Sequence, residues 1–205
     1  MNAIVLEFQQ RLAARGHDPG PLDGDLGPKT YTAFLGALVG RSLGPLGVAL
    51  GRGMAAEFRK HEITTPKRIC HWAAQAAHET GSFKWLTELG GTAYFRKYDG
   101  RADLGNTQPG DGPRFRGRGI FQLTGRANYT KFGRRLGIDL ASAPERAAEP
   151  EISVALACLY WSDRKLNTFA DADDVRAVTK RINGGYNGLA DREKYLARAK
   201  ALWSI

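Results

Sequence analysis

Apolar residues recur at helical spacing along most of this chain, and the stretches where that spacing fails mark its turns and its candidate chemistry. Residues 3–16 set Ile4, Leu6, Phe8 and Leu12 among Gln9, Gln10 and Arg11, an amphipathic helix that Gly16 stops. A loop rich in proline and glycine follows over 17–28, and a second helix is expected over 29–39. The glycine-rich stretch 41–53 reads as a domain boundary, and 54–61 as a short helix. Thr65 then offers a cap and Pro66 a first helical position, so a helix is predicted over 66–79. Its apolar residues Ile69, Cys70, Trp72, Ala73, Ala76 and Ala77 cover much of the circumference, which makes it a buried helix.

From 90 to 119 the helical period disappears. Tyr94, Phe95, Tyr98 and Phe115 stand among glycines and prolines, a pattern of loops with a short strand or two that would form one wall of a cleft. Helices return over 126–136, 150–161, 173–182 and 191–203, with 166–171 as a connector and Asn183-Gly184-Gly185 as a stop signal. The expected fold is mainly α within the α+β class: a helical bundle around a cleft, a small β-hairpin or loop wall, and a small helical N-terminal module. The expected division is residues 1–43 and residues 44–205.

Composition changes this picture only where partners are concerned. The chain has 205 residues, 42% of them hydrophobic, enough to bury a core, and a formal charge of +9 that would attract an anionic partner. Nucleic acid, an anionic membrane surface and a bacterial envelope all qualify. The basic residues are scattered, with short clusters only at 114–118 and 134–135, which argues against nucleic acid. No apolar run is long enough to span a bilayer, and residues 1–7 lack the marks of a signal peptide, so synthesis in the cytoplasm is expected. Cys70 and Cys158 sit in apolar runs and read as reduced core thiols. Asp23 and Asp25 read as turn chemistry, because no glutamate closes a calcium-loop pattern. No Cys/His cluster asks for a metal, and the Gly117/Gly119 spacing fits no phosphate-binding loop.

Two carboxylates carry the candidate chemistry. Glu79 ends the buried helix, where partial desolvation and the negative end of the helix dipole suit a proton donor, although an ordinary helix-terminal glutamate fits the spacing equally well. Glu88 follows nine residues later and is either a general base or a solvent-facing glutamate. On one continuous helix the two would point to opposite faces, about 13.5 Å apart along the axis. Carboxyl groups that share a glycosidic bond lie roughly 6.5–9.5 Å apart for inversion or about 5 Å apart for retention, so a paired role requires the helix to break, and Gly81-Ser82 offers the break. Gln122, Thr124 and Asn128 fall at even spacing across a strand-to-helix turn, suited either to sugar and water contacts or to local capping. Asn183 is a C-cap or a substrate contact, and His78 a hydrogen-bonded structural histidine.

Taken together, these motifs resemble a known family. His78-Glu79-Thr80-Gly81-Ser82-Phe83, Glu88, Gly117-Arg118-Gly119-Ile120-Phe121-Gln122-Leu123-Thr124-Gly125-Arg126-Ala127-Asn128-Tyr129 and Arg181-Ile182-Asn183-Gly184-Gly185 occur in the order seen in family 19 glycoside hydrolases, which include plant chitinases and many bacteriophage endolysins. The resemblance implies a lysozyme-like fold, with Glu79 as general acid, Glu88 as general base and Thr124 holding the attacking water. It also implies that Gln122, Asn128 and Asn183 line the sugar cleft, and groups Arg192 with them as support for the carboxylates. The nine-residue gap between Glu79 and Glu88 is similar to the endolysin branch. Residues 3–40 separately resemble small peptidoglycan-binding modules, trimmed at both ends, which would either bind wall or pack on the next domain. The implied protein is an endolysin that cuts β-1,4 bonds of peptidoglycan, with a chitinase, a lytic transglycosylase and a non-catalytic wall-binding protein as alternatives. Its partners would be peptidoglycan and the anionic envelope surface, without nucleic acid, stable membrane insertion or oligomerisation. It would need no metal or organic cofactor, and would reach the wall from the host cytoplasm after the membrane is permeabilised.

Overall fold

The computed structural model describes residues 2–205. Its helices are α1 Ala3–Ala14, α2 Pro28–Val39, α3 Gly44–Glu57, α4 Pro66–Glu79, α5 Thr92–Phe95, α6 Asp111–Arg114, α7 Arg126–Leu136, α8 Pro150–Asp163, α9 Leu166–Asp171, α10 Val175–Asn183 and α11 Leu189–Trp203. The protein is thus mainly helical, as the periodicity predicts. Among the described residues, β-structure is confined to isolated antiparallel bridges pairing Thr87 with Arg118 and Arg118 with Leu123. The wall over 90–119 consists of loops and single helical turns in place of a hairpin, because its apolar residues are too widely spaced to cover one face of a ladder.

Helix α4 is the axis of the larger core. Thr65, in an extended conformation, accepts a hydrogen bond from Arg68 N at its Oγ1 and caps the helix, with Pro66 next. Every residue from Ile69 to Ala77 is buried. Such a helix draws its stability from packing on all sides, and α2, α8, α10 and α11 contribute to the same hydrophobic cluster. Helix α1 belongs to that cluster too: the Phe8 and Trp203 rings stack with centroids 3.7 Å apart, joining the first helix to the last.

The glycine-rich stretch 41–53 is not a linker. Gly44–Glu57 is a continuous helix, and its glycines let neighbouring backbones approach. A Cβ on Gly51 would stand 2.5 Å from Pro28 O and 2.3 Å from Thr32 Oγ1, and one on Gly53 would stand 3.0 Å from Val154 Cβ. The composition that suggests a flexible boundary here serves tight helix packing. Residues 166–171, expected as a connector, form the short helix α9 because Leu166 and Ala170 bury against the core.

A smaller cluster gathers Phe115, Tyr129, Phe132, Leu140, Ala147, Leu156 and Leu159 around α7 and α8. Ile120 and Phe121 belong to the larger cluster, so the chain passes from one to the other within the segment 115–125. Cys70 and Cys158 are buried free thiols, and burial raises both far above the usual thiol range.

The large core also holds a histidine that fixes a pH dependence. His71 is fully buried, with Nε2 2.8 Å from Asp173 Oδ1, and Asp173 also receives Lys200 Nζ. Burial lowers the pKa of His71, opposed by its hydrogen bond to the Asp173 carboxylate, while Lys200 and Lys67 push the same way as burial. Burial likewise lowers His61. An unfolded histidine takes up a proton near pH 6.5 and these folded ones do so only at lower pH, so their contribution is complete above about 6.5 and is lost as pH falls. The unfolding free energy should fall between pH 7 and 5, by at most about 1.4 kcal/mol per pH unit for each histidine, and the unfolding midpoint with it. A midpoint that is flat across that range would contradict this account.

Candidate active site

Helix α4 ends at Glu79, and the chain turns sharply there. Thr80 Oγ1 donates to Ala76 O (2.6 Å) and accepts from Phe83 N (2.9 Å), closing the turn with one hydroxyl. Gly81, Ser82 and Phe83 then follow one another with φ of 57°, 62° and 62°, a left-handed run that no helix can continue. Outside contacts hold the two non-glycine residues in this region. Phe83 is fully buried, Ser82 Oγ is 2.5 Å from Tyr195 Oη, and Arg41 donates to Ser82 O (2.8 Å). The break therefore falls where the paired-carboxylate arrangement requires it, and Glu88 lies beyond it.

Glu79 is not in apolar surroundings. Its Oε1 accepts from Arg192 Nη2 at 2.5 Å, and Arg192 is fully buried. The same guanidinium donates to Gln75 Oε1, one turn back along α4, and to Asn187 O at 3.3 Å. Arg192 thus meets the carboxylate from inside the protein, as the support that the resemblance implies, and being fully buried it presents no surface to a sugar. Gln75 is a partner that sequence reasoning missed. A buried glutamine in an otherwise apolar helix demands a hydrogen-bond partner, and that was the available signal. His78, beside Glu79, points to Asp191, with Nδ1 2.7 Å from Oδ2. Gly188 presses on its ring so closely that a Cβ there would stand 2.1 Å from His78 Cε1.

Glu88 is fixed by a different set of groups. Its Oε1 accepts from Tyr98 Oη (2.9 Å) and its Oε2 from Gly117 N (3.0 Å), while Glu88 N donates to Gly117 O (2.8 Å). A Cβ on Gly117 would lie 3.1 Å from Glu88 Oε2 and 2.5 Å from Gln122 Oε1, so the glycine is what allows these two side chains to sit together. Tyr98 and Gly117 both come from the stretch without periodicity: Gly117 opens the motif that carries the resemblance, whereas nothing in the spacing of Tyr98 singles it out.

The turn from Gly119 to Asn128 is tied internally. Gln122 adopts φ 50° and its Nε2 donates to Gly119 O (3.1 Å). Thr124 Oγ1 donates to Gln122 O (2.9 Å) and Asn128 Nδ2 to Thr124 O (2.8 Å). Local capping therefore uses the Thr124 hydroxyl proton and one amide proton each of Gln122 and Asn128, leaving the Thr124 oxygen, the two amide oxygens and the second amide protons for water or sugar hydroxyls. Asn106 Oδ1 accepts from Arg126 N (2.8 Å), and Arg126 pairs with buried Asp111, anchoring the start of α7. A cavity of about 320 Å³ opens beside this turn, lined by Ile120, Phe121, Gln122, Thr124, Asn128 and Tyr160 among others.

Neither carboxylate lines that cavity; each adjoins one of its flanks. Glu88 is beside Gln122 through Gly117, and Glu79 is near Tyr160. Burial raises the Tyr160 phenol and the Glu79 charge pushes the same way, with Arg164 and Arg192 opposing. Tyr160 donates to Ile182 O at 2.9 Å, which brings the end of α10 to the same edge. Asn183 itself is exposed, ends α10 ahead of Gly184 in the left-handed cap position, and lies outside the cavity wall.

No family model matches the chain. A glycosyl hydrolase family 19 domain-containing protein of Haemophilus influenzae is 31% identical over 171 residues, which span 70% of this chain and 84% of that protein. Endochitinase EP3 of Arabidopsis thaliana is 35% identical over 120 residues, 58% of this chain and 42% of the plant protein. Endochitinase At2g43610 of the same plant is 33% identical over 132 residues, 64% of this chain and 44% of the relative. The chain thus spans less than half the length of these plant relatives. Among solved structures, chitinase C from Streptomyces griseus HUT6037 superposes with a TM-score of 0.69 at 18% identity, covering 88% of this chain and 95% of that one. The class IV chitinase from Zea mays gives 0.65 at 19% identity, covering 85% and 92%. These two likenesses establish a shared fold. With a relative at 31% identity matched over most of its length, and a broken helix that presents one carboxylate on each side of the break, the chain belongs to glycosyl hydrolase family 19.

Proposed function

We propose that this protein is an endolysin that hydrolyses β-1,4 glycosidic bonds of bacterial peptidoglycan by single displacement with inversion. The observation that carries the reading is the end of α4 at Glu79, followed by the left-handed run 81–83 and a separately anchored Glu88. Glu79 protonates the leaving glycosidic oxygen, and Glu88 activates a water on the opposite face of the sugar. Thr124 accepts a hydrogen bond from that water, and Gln122, Asn128 and Asn183 contact the sugar. The formal charge of +9 draws the protein to the anionic envelope, an attraction that added salt weakens. Residues 1–43 contribute affinity for the wall, and a separate membrane lesion gives the protein access to it.

Mass spectrometry of products released from purified peptidoglycan tests the substrate, the bond and the reaction together. Reducing-end sugars are expected, formed initially with inverted anomeric configuration. Anhydro-sugar products would sink the hydrolytic mechanism. Several relatives named endochitinases favour a second reading, cleavage of polymeric N-acetylglucosamine, and turnover of chitin oligosaccharides with an inert wall would select it.

The placement of Glu88 yields its own prediction. Gly117→Ala would press a methyl group against both Glu88 and Gln122. A shift of about 1 Å in a reacting group lowers turnover on the order of 100-fold, so a large loss in kcat is expected with the fold retained. Full activity of this variant in a wall-release assay would show that the Glu88 carboxylate needs no such placement.

A further inference from the structure

The cavity beside α7 carries charges that the proposed hydrolysis leaves unused. Its wall includes Arg118, Lys131, Asp163 and Arg164. Arg118 is buried and committed to the fold, donating to Arg114 O (2.8 Å) and Tyr129 Oη (2.9 Å). Asp163 is neutralised by Arg135 Nη1 at 2.6 Å, while Lys131 Nζ stands 3.9 Å from it. Arg164 differs from both. Its guanidinium sits over the Tyr160 ring, 3.5 Å from the centroid, and its Nε donates to Arg181 O (3.2 Å). Among the described residues no carboxylate pairs with Arg164, and no protein acceptor takes its two Nη groups.

A guanidinium held by an aromatic face and one carbonyl, with its outer donors free, is preorganised for a bidentate carboxylate. A neutral sugar polymer has no group to offer it. Peptidoglycan does, since every second sugar bears a lactyl ether extended by a peptide with free carboxylates. We propose that Arg164, assisted by Lys131, makes this cavity a subsite for a carboxylate of the peptide stem, so that stem-bearing strands are selected over uncharged chitin. The inference deepens the peptidoglycan reading and rests on it for the identity of the carboxylate.

The test is a binding measurement by calorimetry, made on the full chain carrying Glu79→Gln so that strands are not cut. The probes are soluble peptidoglycan strands with intact stems and the same strands after carbodiimide amidation of their carboxylates. Arg164→Gln should weaken binding of the intact strands about tenfold, the scale of one charge-assisted hydrogen-bonded contact at a partly exposed site. Amidation alone should bring the unsubstituted site down to the same level, and Arg164→Lys should recover part of the loss. Equal affinity for intact and amidated strands, or an equal loss on both with Arg164→Gln, would overturn the proposal. Unfolding midpoints identify any variant that is merely destabilised, and the amidation comparison needs no substitution at Arg164. Arg164-dependent binding of strands that the native protein then fails to cleave would sink the hydrolytic reading and leave the subsite standing.

Discussion

Glu79→Gln is expected to lower the release of soluble sugars from peptidoglycan by about 1,000-fold, within the range assigned to a general acid, while strand binding survives. The amide keeps the length of the side chain and an oxygen to accept from Arg192 Nη2, so the end of α4 should keep its geometry. It has no acidic proton to give to a leaving oxygen. The substitution does leave the fully buried Arg192 without its anionic partner, although Gln75 Oε1 and Asn187 O still accept from it. Some loss of stability should therefore accompany the loss of activity, on the order of the 1.5–3 kcal/mol of a hydrogen bond to a charged group. Measuring wall release, strand binding and the unfolding midpoint on the same preparation separates the two effects. A variant that binds strands and still releases sugars at a tenth of the normal rate would remove Glu79 from the proton-donor role.

Arg192→Met should have the largest effect on stability. The native guanidinium joins the first turn of α11 to two successive turns of α4 and to the loop before α11. Methionine fills the volume but leaves the Glu79 carboxylate and the Gln75 amide oxygen facing an apolar side chain. Breaking a buried ion pair by removing one partner costs about 3–5 kcal/mol. For a domain of this size that corresponds to a fall of roughly 10 °C in the unfolding midpoint. Arg192→Lys should recover only part of it, since one ammonium cannot span three acceptors from a buried stem. Residues that share a network couple, so combining Arg192→Met with Glu79→Gln should cost less than the sum of the two changes. Strict additivity would show that the pair is not the unit described here.

How much of this was legible beforehand depended on the range of the interactions involved. The helices at 66–79 and 126–136 follow from local spacing, and the Thr65 cap and the Gly137 stop agree with it. The stretch 41–53 shows the opposite case. Glycine density is the same signal for a flexible link and for two helices packed backbone to backbone, and only the partners at Pro28, Thr32 and Val154 distinguish them. The carboxylates were visible as residues, and the family motifs gave them roles. Their settings were not visible, because Gly117 meets Glu88 from 29 positions away and Arg192 meets Glu79 from 113.

By itself the sequence determined the mainly helical architecture, the buried character of 66–79, the break expected between Glu79 and Glu88, and the family. Each of these rests on spacing within a few turns or on the order of motifs, which the chain carries before it folds. The tertiary structure alone decided that Glu79 meets a buried guanidinium, that a phenol and a backbone amide hold Glu88, and that Arg164 faces a cavity with no carboxylate to pair with it. The physical reason is that hydrogen bonds and ion pairs depend on a few tenths of an ångström between groups far apart in sequence. Only packing of the whole core fixes distances that finely.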